Sequence, residues 1–81
     1  MSVTYYVALP FVQHETGIAP GQALECPNEA SAIRRAEGMF HQQPNVGALA
    51  FKRSGDPNLG NYGDATVLKT FGDVPDHLDE L

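Results

Sequence analysis

The sequence predicts an α+β domain: an antiparallel sheet of three to four strands with one helix packed on one face, in the order β(β)αββ. Three observations predict it. Apolar, β-branched and aromatic runs stand at 3–9, 46–51 and 65–71, and such residues suit a pleated surface. Only residues 28–42 place their apolar side chains at helical spacing. The last two runs are joined by 54–64, a segment dense in turn formers, which favours an antiparallel pair over a parallel crossover.

The first run, Val3-Thr-Tyr-Tyr-Val-Ala-Leu9, ends before Pro10, whose missing N–H implies a position that needs no ladder partner. Residues 13–21 read as a loop, with Ala19-Pro20-Gly21-Gln22 suited to a type II turn. Residues 22–26 read as a short strand returning beside the first.

Pro27 and Asn28 announce the helix. Asn28 is an N-cap, since its side chain can accept from a first-turn N–H, and Glu29 sets negative charge at the helix's positive end. Ala32, Ile33, Ala36, Met39 and Phe40 form one apolar stripe. Ile33, Ala36 and Phe40 are expected to make the core with Val7, Leu49 and Val67. Gly38, costly inside a helix by about 1 kcal/mol against Ala, suggests a close backbone approach. Pro44 and Asn45 end the helix.

The strand Val46-Gly-Ala-Leu-Ala-Phe51 is apolar at every position. A strand buried on one side alternates apolar with polar, so both faces of this one expect cover. One helix covers one face. The other is covered by 13–25 folding back, or it is an apolar patch that a partner fills. A homodimer, or another protein partner held through the sheet, is therefore expected.

The chain of 81 residues reads as a single small domain, with 73–81 an acidic, frayed tail holding Asp73, Asp76, Asp79 and Glu80. The net charge of −5 weighs against nucleic acid, whose binding draws on phosphate neutralisation. No run of about 18 apolar residues crosses a membrane. The N-terminus has no basic region or Ala-x-Ala-like site, so a cytoplasmic protein is expected.

Few residues carry chemistry. Cys26 stands two residues before the helix N-cap, where a thiol pKa can be lowered, yet it is the lone cysteine. An inert, buried thiol is the better reading, and a small thiol-dependent enzyme or redox accessory is the alternative. His14, His41 and His77 show no ligand spacing. The loop 56–64 offers Asp56, Asn58, Asn61 and Asp64, but the sixth residue from Asp56 is Asn61 and the twelfth Val67, where a calcium loop needs Gly and Glu. No metal or cofactor is expected. Tyr5, Tyr6, Phe51 and Arg53 offer an aromatic-basic surface, so Tyr6, Phe51 and Arg53 are the candidate binding residues, and an RNA-binding module is a further alternative. The leading expectation is a non-enzymatic binding or protein-interaction module.

The segments Tyr5-Tyr6-Val7-Ala8-Leu9-Pro10-Phe11, Ala32-Ile33-Arg34-Arg35-Ala36-Glu37, Gly47-Ala48 and Phe71-Gly72-Asp73-Val74-Pro75 together resemble a group of small hypothetical bacterial proteins. The resemblance spans nearly the whole chain. It implies one small bacterial domain and carries no activity and no site residue.

Overall fold

Alternation along two long strands, β1 (Val3–His14) and β4 (Asn45–Asp56), organises the molecule. In the computed structural model, which describes residues 3–56, 58–63 and 65–75, they pair antiparallel from Val3↔Gly55 to Val12↔Asn45. The outer side of β1 carries β2 (Gly17–Pro20) and β3 (Leu24–Cys26) end to end. The outer side of β4 carries β5 (Asn61–Tyr62) and β6 (Thr66–Gly72) in the same way. Six strands thus make an antiparallel sheet four strand positions wide. The helix α1 (Glu29–Phe40) lies on one face, over β1, β4, β6 and β3. The fold is α+β, in the order βββαβββ.

The helix starts as its sequence dictates. The Asn28 side chain accepts from the Ser31 backbone N–H at 2.8 Å. At the other end, the Met39 carbonyl accepts from the Gln42 N–H at 3.1 Å and from Asn45 Nδ2 at 2.8 Å, which ties the start of the next strand to the last turn. The helix closes at Phe40 rather than 42, with His41 as C-cap.

Five sequence expectations change. Residues 13–21 are no loop: β1 runs on to His14 and turns back through Glu15-Thr16 into β2, with His14 opposite Gly17. The type II turn at 19–22 does not form, because Gly21 keeps a negative φ. Instead Gly21 N–H donates to the Pro10 carbonyl at 2.8 Å. This is where the edge partner of β1 changes from β2 to β3, so the N–H that Pro10 lacks faces a gap. Residues 54–64 are partly strand, since Gly55 and Asp56 pair with Tyr62 and Asn61. Gly38 meets nothing that a Cβ would touch.

The fifth change concerns the core. Ala36 is buried, and Ile33 and Phe40 pack half-buried against the helix-side cluster of Ala8, Cys26, Ala32, Ala48 and Ala50. Val7 and Leu49 belong instead to a second cluster on the opposite face, with Leu9, Phe11 and Phe51. Val67 is 42% exposed. Successive strand residues point to opposite faces, so residues of opposite parity cannot share the helix's side. Full burial of side chains such as Leu49 and Phe11 stabilises by roughly 1.5–3 kcal/mol each.

The second cluster is closed at one end by the chain leaving β6. Gly72 has φ +65°, a turn that glycine adopts without strain. Asp73 N–H then donates to the Val46 carbonyl at 3.0 Å. Its backbone crosses so near Gly47 that a Cβ there would overlap the Asp73 carbonyl. Val74 thereby packs against this cluster, as do Ile18 and Ala65. Segment 13–25 does not fold over this face; it joins the sheet edge. Of the segment 73–81, residues 73–75 pack in this way and 76–81 lie outside the described residues.

Candidate functional site on the face away from the helix

Cross-strand partners in an antiparallel ladder share a face. The register Val3↔Gly55, Tyr5↔Arg53 and Val7↔Phe51 therefore sets Val3, Tyr5, Val7, Phe51 and Arg53 together, away from the helix. Phe51↔Val67 and Val7↔Glu25 widen the row to β6 and β3. At this end of the sheet Tyr5, Val7, Ala23, Phe51 and Arg53 line a shallow, open hollow of about 390 Å³. Two of the exposed large apolar residues, Val3 (37%) and Val67 (42%), flank it.

The helix face of the same strand ends is built differently. There the row beyond the helix is Thr4↔Ser54, and in the next row Lys52 stands opposite Tyr6, which packs against the helix-side cluster. Thr4 Oγ1 and Ser54 Oγ share a hydrogen bond of 2.8 Å. Lys69 Nζ lies 5.3 Å from the Phe71 ring centroid, which shields the ring's outer surface. Where the helix leaves the sheet bare, the helix face is polar; at the same level the other face is apolar.

The sequence-derived trio of Tyr6, Phe51 and Arg53 is divided by this geometry. Phe51 and Arg53 share the hollow, while Tyr6 packs against the helix-side cluster. The aromatic beside Arg53 is Tyr5. The two tyrosines are adjacent in the chain, and only the pairing with β4 decides which of them stands with Phe51. The sequence reading did not set Glu25, Val67 or Val3 on this surface. Their signal was the period of two, once β3 and β6 are placed against β1 and β4.

Cys26 is buried at the end of β3, 8% exposed, in the helix-side cluster. Its thiol points to the Leu24 carbonyl, with Sγ 3.6 Å from the oxygen. It borders an open groove of about 600 Å³ between β3 and the helix, with Leu24, Ser31, Arg34, Arg35 and Met39. Among the described residues no histidine or carboxylate is hydrogen-bonded to it.

His14 is exposed in the β1–β2 hairpin. The His41 ring lies 5.2 Å from that of Phe40. His77 and Asp64 lie outside the described residues. In the 56–64 segment, Asp56 Oδ1 accepts from the Asn58 N–H at 2.9 Å, the Asx-turn use of such residues. Among the described residues no group of three or more His, Cys, Asp or Glu is placed to hold a metal ion, and no helix is long and apolar enough to cross a membrane.

No protein-family model matches the chain, and no curated protein or solved structure matches it.

Proposed function

We propose that this protein is a non-enzymatic binding module that meets a protein partner with the sheet face turned away from the helix, at its Tyr5–Arg53 end. The observation that carries this reading is the contrast between the two faces at the same strand ends. Where the helix face is uncovered it carries Thr4, Ser54 and Lys52, suited to water. The opposite rows carry Val3, Tyr5, Val7, Phe51 and Val67 around a hollow. Exposed Val3 and Val67 beside half-buried Tyr5 and Val7 are apolar surface of the kind an interaction site uses, and aromatic residues with one arginine are the composition favoured at protein interfaces.

Site-specific photo-crosslinking tests the face. A photoreactive phenylalanine at Val67 or at Val3 should form protein adducts in a cell extract. The same residue at Ala30 or Glu37, exposed on the helix, should form few. Equal adduct yield at all four positions, or none at Val3 and Val67, would remove the reading.

A further inference from the structure

We infer that the groove between β3 and the helix takes an acidic segment of another protein in extended conformation, added as a strand to the open edge of β3. The groove lies on the helix side of the sheet, so this site is separate from the face proposed above.

Three observations carry it. The first is an unused backbone edge. β3 pairs with β1 on one side, and among the described residues no strand pairs with its other side. A strand edge left in this way presents unpaired N–H and C=O groups and is a template for a further strand. The helix stands beside that edge as a wall, and between them runs the open groove of about 600 Å³. From Ser31 to Met39 the wall is roughly 12 Å long at the rise of an α-helix, enough for about four residues of extended chain.

The second is charge. Arg34 and Arg35 both line the groove, and both are exposed. Among the described residues neither is ion-paired. The acid in the lining is Glu25, which stands opposite Val7 and so turns its side chain to the far face. Two of the five basic residues thus meet at one groove, in a chain whose net charge is −5. A guanidinium takes a carboxylate through two parallel hydrogen bonds, so the groove suits an acidic partner. The acidic remainder of the chain disfavours a phosphate polymer, which is charged along its whole length. Leu24, 41% exposed, and Met39 add apolar surface to the same groove. The segment that fits therefore carries an apolar side chain beside its carboxylates.

The third is Gly38. A glycine inside a helix is destabilising against alanine. A Cβ at Gly38 would meet nothing within 4 Å, so no neighbour among the described residues requires the glycine. It lines the groove with Ser31, Arg34 and Arg35, at three- and four-residue spacing along one side of the helix. The missing side chain leaves the helix backbone open to the occupant of the groove.

Selection of the full chain against random short peptides displayed on phage tests the site. It should enrich sequences with Asp or Glu two residues from Leu, Ile, Val or Met, the spacing that sets both on one face of a strand. The enriched peptide, synthesised with a fluorescent label, should bind the double variant Arg34→Glu/Arg35→Glu roughly tenfold or more weakly, since like charges then oppose. Gly38→Leu puts a side chain into the groove at a position where a Cβ meets nothing. It should melt no lower than wild type and still lose the peptide. Alternate N–H groups of an added strand face its neighbour. Methylating one alternate set of peptide nitrogens should therefore abolish binding, and methylating the other set should spare it. Val67→Lys, on the far face, should leave the affinity unchanged. A circular dichroism melt confirms that each variant is folded. No enrichment, or enrichment of basic or neutral sequences, would overturn the site. So would a peptide that tolerates both methylation patterns, which would show charge contact without strand addition. A peptide lost with Val67→Lys and kept by Arg34→Glu/Arg35→Glu would belong to the far face and exclude the groove. Absence of crosslinks at Val3 and Val67 would remove the far-face reading and leave this one standing.

Discussion

On the helix side the two central strands contribute Ala8, Ala48 and Ala50; on the other side they contribute Leu9, Phe11, Leu49 and Phe51. The difference follows from what lies above each face. The helix brings its own small residues, Ala32 and Ala36, both 0% exposed, down onto the strand alanines. Small against small lets the helix backbone come close to the sheet, and larger residues, Met39, Phe40 and Phe71, fill only the margins. Among the described residues no helix covers the far face. There the strand side chains must supply the volume themselves, with Ile18, Ala65 and Val74 reaching in from the edges. Side-chain size, sorted by parity along one strand, thus reports which face carries a second layer.

Substitutions that exchange the two regimes should break the comparison. The largest loss is expected at Leu49, which is 0% exposed. Leu49→Ala leaves a cavity that no layer can sink to fill, and should cost about 2–5 kcal/mol, measured by urea denaturation. For a domain of this size that is a large part of total stability. A loss below 1 kcal/mol, as flagged by the same large-to-small scale, would show that Val74 and Ile18 close the gap.

The opposite exchange, Ala50→Leu, adds volume where Ala50 is 0% exposed under the helix. It should cost about 1–3 kcal/mol through overpacking and push the helix outward. Amide exchange along 29–40 should quicken in step; unchanged protection would mean that the helix does not rest on the strand alanines.

Two smaller effects sharpen the comparison by acting on the helix alone. Asn28→Ala removes the acceptor for the Ser31 N–H and should cost about 1 kcal/mol. Gly38→Ala meets no neighbouring atom and should stabilise by about 0.5–1 kcal/mol, seen as a higher Tm. A loss at Gly38→Ala would mean that the exposed side of the helix is constrained by something the monomer does not contain.

The helix, its Asn28 cap and its apolar stripe were legible in the sequence because they depend on spacings within one segment. So were the positions of β1, β4 and β6, as β-branched runs between turn formers. The β1–β2 hairpin was not: Gln13-His14-Glu15-Thr16 is polar, and its turn lacks the Asn-Gly or Asp-Gly signal of tight hairpins. The candidate site was half legible. Phe51 and Arg53 share a face with Tyr5 and not with Tyr6, a division that a strand's own sequence does not show, because it gives two faces without saying which matches which on its neighbour.

By itself, then, the sequence determined the element types, the alternation of each strand and the presence of two apolar faces, all of which follow from local backbone geometry and the period of side chains. Only the tertiary structure decided which face the helix takes, that Asp73 crosses at Gly47 to bring Val74 over the second cluster, and that Tyr5, Arg53 and Glu25 share one surface. These are relations between segments distant in the chain, fixed by pairing register, and a register shift of one residue would exchange the faces.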